Sequence, residues 1–119
     1  MANWGTVQRI LADFPETIEG TSYRTAAFRI RKQFFARLRE DGDSLAVKVG
    51  QQFRAALLAE GDPPFYTTPH YDGPESGLVL IRLSMIGDDD LLDVLTDAWL
   101  VNAPERLAER WRSGNAASG

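Results

Sequence analysis

Cysteine is absent from the 119 residues, which excludes disulfides, thiolate metal ligands and cysteine nucleophiles together. Histidine occurs once, as His70, so no site can recruit two imidazoles, whereas metal sites ordinarily draw several His or Cys ligands at defined spacing. No apolar run approaches the roughly 20 residues needed to span a bilayer. The opening MANWGTVQRILADF is amphipathic and lacks the basic start and unbroken apolar core of a signal peptide. Such a chain is expected in the cytoplasm, with no membrane, metal or cofactor among its partners. No internal repeat is visible.

What is present is the composition of a globular domain, 44% hydrophobic and 25% charged. The length fits one domain that buries about two-thirds of its unfolded surface. The net charge of −4 argues against a polyanionic partner, but its distribution does not. Residues 1–23 carry one cation and three acids, a net of −2. Residues 24–54 carry eight cations and three acids, a net of +5, and the remainder is −7. A basic middle therefore sits inside an acidic protein.

Val7, Ile10, Leu11 and Phe14 recur at helical spacing, with Thr6 as a candidate cap, and Pro15 ends the run. From Tyr23 the period becomes two: AAFRIR, FFARLRE and SLAVKV alternate apolar with charged residues and read as an antiparallel meander, with Phe34 or Phe35 at a bend. QQFRAALLAEG predicts a helix stopped by Gly61. Phe65 to Thr68 and Leu78 to Ser84 predict two further strands, separated by the turn-rich PHYDGPESG. Acidic GDDD opens a helix, with Asp88 as its cap, and Pro104 suits the start of a last one. Trp4, Phe14, Phe53, Trp99 and Trp111 lie on helical stripes and are expected in the core. The order α-β-β-β-α-β-β-α-α, with strands apolar on one side, predicts an α+β two-layer sandwich. In it, helices pack on one face of an antiparallel sheet of about five strands. The domain is expected over residues 1–112, followed by a flexible tail at 113–119.

The pieces ADFPE, TSYRTAAFRIRKQFFARL, LAVKV, FYTTPHYDG, VLIRL and DDDLLDVLTDAWLVNAP, in this order, resemble the MmcQ/YjbR family of small bacterial proteins. FYTTPHYDG with AWLVNAP downstream carries most of the specificity, and its Tyr66, Thr68, His70, Tyr71 and Asp72 form a family-motif loop. Arginines stand in TSYRT and beside Lys32 where the family pattern would have glycine. The resemblance implies a CyaY-like or secretion-chaperone-like α/β sandwich. It also implies DNA binding through strand hairpins, and no enzymatic activity.

The residues supply their own reason to consider a nucleic acid. If Phe28, Ile30, Leu45, Val47, Val79 and Ile81 face the core, then Arg29, Arg31, Arg37, Arg39, Lys48 and Arg82 share the opposite face. Such a strip suits phosphate contacts with little base readout. It equally suits an acidic or amphipathic protein segment docked by a chaperone-like adaptor, or plain solubilisation of an exposed sheet. Tyr23, Phe34 and Tyr66, interleaved with the basic strands, are candidates for base stacking. His70 with Asp72, Glu75, Ser76 or Ser84 lacks the elbow motif of a hydrolase, and anchoring of the loop by His70 and Tyr71 explains it more simply. An enzyme centred on Tyr66, His70 and Tyr71 is the least favoured reading. Asp88 to Asp90 lack the spaced oxygens and distal glutamate of a calcium loop. The chain is expected to be non-enzymatic.

Overall fold

Val7 and Leu11 lie one turn apart and are fully buried, which orients the first helix, α1 (Trp4–Leu11), against the core. The computed structural model describes residues 1–22, 24–71 and 77–118, with no account of the side chains of Ser22 and 115–118. Asn3, not Thr6, caps α1: its Oδ1 accepts from the Thr6 N–H at 3.0 Å while Thr6 Oγ1 accepts from the Asn3 N–H. Four strands follow: β1 (Thr17–Ser22), β2 (Thr25–Ile30), β3 (Gln33–Leu38) and β4 (Ser44–Lys48). Helix α2 (Gln51–Glu60) leads to the short β5 (Phe65–Tyr66) and to β6 (Leu78–Arg82). A single 3-10 turn at Leu83–Met85 precedes α3 (Asp88–Asn102) and α4 (Glu105–Ser118). The backbone stays helical past residue 113, where the sequence reading begins a flexible tail.

The strands form one antiparallel sheet in the order β1-β2-β3-β4-β6-β5. The fold is the expected α+β sandwich with one strand more than the sequence suggested. The extra strand is β1, and its invisibility has a physical cause. Its register sets Thr17 opposite the buried Ile30 and Ile18 opposite Arg29. The one apolar residue of TIEGTS therefore points away from the core and is 63% exposed. Thr17 takes the core side, where its Oγ1 accepts from the Trp99 Nε1–H at 2.9 Å. Glu19 beside it is held by Gln8 of α1. Hydrophobic alternation cannot reveal a strand whose inward positions are polar.

The inward face of the sheet carries Phe28, Ile30, Phe35, Leu45, Val47, Val79 and Ile81, all buried under the helices as expected. The phenylalanine pair divides at a bulge: Phe28 faces Ala36 and Arg29 faces Phe34, so the register skips Phe35. Phe35 is fully buried, and Phe34 lies on the outer side. Trp99, also fully buried, is the largest side chain of the core. It meets Phe14 and Trp111 at ring-centroid distances of 5.4 and 5.8 Å, which joins α4 and the turn after α1 to α3. Phe53 departs from expectation. It is 39% exposed, and Leu57 alone carries the buried stripe of α2. Gly61 ends that helix with φ of 95°, a conformation open to glycine. At α3 the cap is Gly87, not Asp88, and the three aspartates occupy the first turn, where they complement the helix dipole.

Candidate nucleic-acid interface

Cross-strand partners share a face, so the residues between the inward set form three outward rows. Ile18, Arg29 and Phe34 begin the first, which continues with Lys48 and Leu78. Gly20, Ala27, Arg37, Ala46, Leu80 and Tyr66 make the second. Arg39, Ser44 and Arg82 make the third. Five of the six predicted cations thus stand on one face. Arg31 does not. β2 ends at Ile30, and Arg31 turns the chain with a φ of 55° while its N–H donates to the Glu16 carbonyl at 3.0 Å. Its guanidinium lies on Glu16 at 2.7 and 3.2 Å, and that hydrogen bond lowers the carboxyl pKa of Glu16. The alternation that placed Arg31 outward stops one residue too early.

The outer face is also partly covered, which the sequence did not suggest. The segment after β5 folds back across the second row. Tyr71, 7% exposed, packs with Ala46 and Leu80, and Tyr66 and Leu78 flank them. The small side chain of Ala46 makes this seat possible. The Tyr71 hydroxyl accepts from Arg37 Nη2 at 2.9 Å, and Arg37 also donates to Thr25 Oγ1 at 3.1 Å and lies 3.6 Å from Glu40. The Arg37 side chain is only 12% exposed. Arg54 of α2 binds the same segment from its other side, donating to the Leu78 carbonyl at 2.7 Å, the Tyr71 carbonyl at 3.1 Å and Thr67 Oγ1 at 3.2 Å. The Thr68 carbonyl accepts from the Tyr71 N–H at 2.8 Å, which closes the turn.

Each tyrosine of the motif carries an arginine. The Arg82 guanidinium lies 4.0 Å over the Tyr66 ring and grips Asp62 through two hydrogen bonds of 2.8 and 3.0 Å. That hydrogen-bonded pairing holds the Asp62 carboxyl below its ordinary pKa. The Tyr66 hydroxyl is hydrogen-bonded to Ser44, whose own hydroxyl reaches Asp41 Oδ2 at 2.8 Å. Arg39 lies 5.5 Å over Tyr71, within cation–π range. Its buried Nε has no hydrogen-bond partner among the described residues, so the ring is its main compensation. Burial raises the Asp41 pKa, but hydrogen bonds from the backbone N–H groups of Asp43 and Ser44 and from the Ser44 hydroxyl, with the charge of Arg39, outweigh it and leave the group lowered.

Two predicted cations keep their charge available. Arg29 and Lys48 are partly buried, and among the described residues neither side chain makes an ion pair or hydrogen bond. Arg29 lies on the rim of an open cavity of about 940 Å³, walled by Phe34, Arg37, Ala46, Tyr71 and His70. His70 is exposed and meets Tyr71 edge-on at 4.9 Å. It forms no hydrogen bond among the described residues, so the anchoring expected of His70 and Tyr71 together falls to Tyr71 alone. Ser84 is committed to Asp43, with its hydroxyl donating at 2.7 Å and its N–H at 2.9 Å. Asp72 of the motif, Tyr23, Glu75 and Ser76 lie outside the described residues. No group of three or more His, Asp or Glu among the described residues is arranged to hold a metal ion. Among those residues no helix is long and apolar enough to cross a membrane.

Sequence reasoning missed Arg54 and Asp62 as partners of this face. Arg54 offers no local signal, since its targets are two backbone carbonyls and a threonine brought close only by the fold.

The comparisons agree with this architecture. The YjbR family model matches residues 12–101. The uncharacterized proteins Rv2570 of Mycobacterium tuberculosis and Mb2600 of Mycobacterium bovis are each 32% identical over 124 aligned residues. These alignments span 92% of this chain and 95% of each relative. The crystal structure of the Deinococcus radiodurans protein DR2400, described as a DUF419 domain, superposes with a TM-score of 0.69. It shares 15% identity and covers 85% of this chain and 78% of its own, so it speaks for the fold alone. With its sequence matched across most of its length and its sandwich fold shared, this chain belongs to the YjbR family.

Proposed function

We propose that the chain is a non-enzymatic nucleic-acid-binding protein that engages phosphates with the outer face of its sheet. Arg29 and Lys48 are the principal contacts, and Arg39 lies at the margin. One observation supports this most: the residues of the three outward rows, four cations in strands and Arg39 just past β3, include five cations and no carboxylate. The reading is narrower than the six-cation strip, because Arg31 is off the face, Arg37 lies beneath Tyr71 and Arg82 is neutralised by Asp62. With about two phosphates neutralised, the affinity should fall with salt at a log–log slope of roughly −1.4 for a single strand or −1.8 for a duplex. Between about 50 and 200 mM salt that is a loss of roughly 7- to 12-fold. Anisotropy of a labelled oligonucleotide measures it, and Arg29→Ala with Lys48→Ala should abolish most of the slope. No binding at low salt, or an affinity indifferent to salt, ends this reading.

A second reading rests on β1. Among the described residues its outer edge has no partner strand, and Ile18 stands exposed beside Arg29. An acidic, amphipathic peptide could add there as a strand, its side chains on Ile18 and Arg29. Competition of such a peptide with the oligonucleotide, lost on Ile18→Asp, would favour it.

A further inference from the structure

We infer that the nucleic acid taken by this face is unpaired, with a base entering the cavity between Phe34 and His70 while adjoining phosphates lie on Arg29 and Lys48. The inference rests on the nucleic-acid reading and adds the form of the ligand. Phe34 is its starting point. This ring sits in an outward row, opposite Arg29 across the strands, and belongs to neither buried apolar cluster. Half-buried, it contacts no other ring among the described residues. His70 touches the Tyr71 ring edge-on at 4.9 Å but makes no hydrogen bond among the described residues. The loop is held by Tyr71, Thr67 and Thr68 through Arg37, Arg54 and the turn, without the imidazole. Phe34 and His70 thus line one recess together with Arg29.

The shape selects against a duplex. Reading double-stranded DNA calls for a projecting element, a helix or two-stranded ribbon, to enter a major groove about 12 Å wide. Here the cations stand beside the ridge made by the segment ending at Tyr71, on a floor that the ridge partly covers. A single strand can bend over that ridge and send a base down, and aromatic walls accept any base because each has a π-face. A volume near 940 Å³ is in the range of small-ligand sites, about 300–1,000 Å³. Glu40 on the same wall is compensated by Arg37 at 3.6 Å, so it does not repel an incoming phosphate with a full charge. Stacking and backbone contacts without edge readout give little sequence preference.

The test uses the full chain with three labelled probes: an oligothymidylate and an oligouridylate of about 20 nucleotides, and a duplex of equal length. One of the single strands should bind at least tenfold tighter than the duplex. Phe34→Leu with His70→Ala should weaken single-strand binding by about 5- to 10-fold and leave the salt slope unchanged. Phe34→Trp should keep wild-type affinity, and Arg29→Ala should weaken every probe. If Phe34→Leu fails to fold, the exposed His70→Ala alone should still cost about twofold or more. Duplex binding equal to or tighter than single-strand binding overturns the inference and leaves the nucleic-acid reading standing. Unchanged affinity in the aromatic variants does the same. Absence of binding to all three probes removes both.

Discussion

Replacing Tyr71 tests whether the motif segment is really fastened across the outer sheet face. Tyr71→Phe deletes only the hydroxyl that accepts from Arg37 at 2.9 Å. Arg37 is 12% exposed, so little water can replace the lost acceptor. A hydrogen bond to a charged group contributes about 1.5–3 kcal/mol. Arg37 keeps Thr25 and Glu40, which sets the expected cost near the low end, about 1–1.5 kcal/mol. Tyr71→Ala also strips the ring from Ala46 and Leu80. Losing that burial adds about 2–3 kcal/mol, for a total of roughly 3–4. For 119 residues each kcal/mol moves Tm by about 4 °C, so Tm should fall by about 5 °C for the phenylalanine and 12–16 °C for the alanine. Urea unfolding of both variants, and of each combined with Arg37→Met, checks it. The Tyr71→Phe and Arg37→Met effects should couple by about 1 kcal/mol. If Tyr71→Ala costs less than about 1 kcal/mol, the segment is not held as described and the picture of a half-covered face fails.

Further perturbations probe the other joints. Thr17→Val should cost about 1–2 kcal/mol by urea unfolding, because it leaves the fully buried Trp99 indole N–H without its acceptor. Glu16 and Asp62 have pKa values lowered by hydrogen bonds to Arg31 and Arg82. Their contribution is therefore present above the ordinary carboxylate range and lost as pH falls through the folded-state values. The urea midpoint should drop in acid, and Glu16→Gln with Asp62→Asn should flatten that drop. Asp97 has the opposite sign: burial, then the charge of Asp93, raises its pKa. Its ionised form disfavours the fold at neutral pH, and protonation relieves this. Asp97→Asn should stabilise by a few tenths of a kcal/mol near pH 7, after solvent screening, with the gain fading toward about pH 4. Asp62→Ala frees Arg82 on the outer face, so it should steepen the salt dependence of oligonucleotide binding.

Strands whose inward positions are apolar were legible from alternation, and so were helices with a continuous stripe. Phe28, Ile30, Leu45, Val47, Val79 and Ile81 all face the helices as their spacing implies. β1 was not legible because its inward residues are Thr17 and Glu19, satisfied by partners far along the chain. The cationic face was legible in outline for the same reason as the core, since outward is the complement of inward. Its charge state was not. Whether an arginine is available depends on Asp62, Glu16 and Tyr71, which reach Arg82, Arg31 and Arg37 across 20, 15 and 34 residues. Alternation carries no information about such pairings. Within FYTTPHYDG, Tyr66 and Tyr71 make the contacts across the sheet face, while His70 lines the cavity.

Nucleic-acid binding is proposed at the outer sheet face, narrowed to Arg29 and Lys48 beside the Phe34–His70 recess. Titrating 15N-labelled protein with an oligothymidylate of about 20 nucleotides at low salt maps this directly by amide shifts. The largest changes should fall at Arg29, Phe34, Lys48 and His70, reversed by salt, with α1, α3 and α4 unmoved. Shifts centred on the helical layer, or none at all, would contradict it.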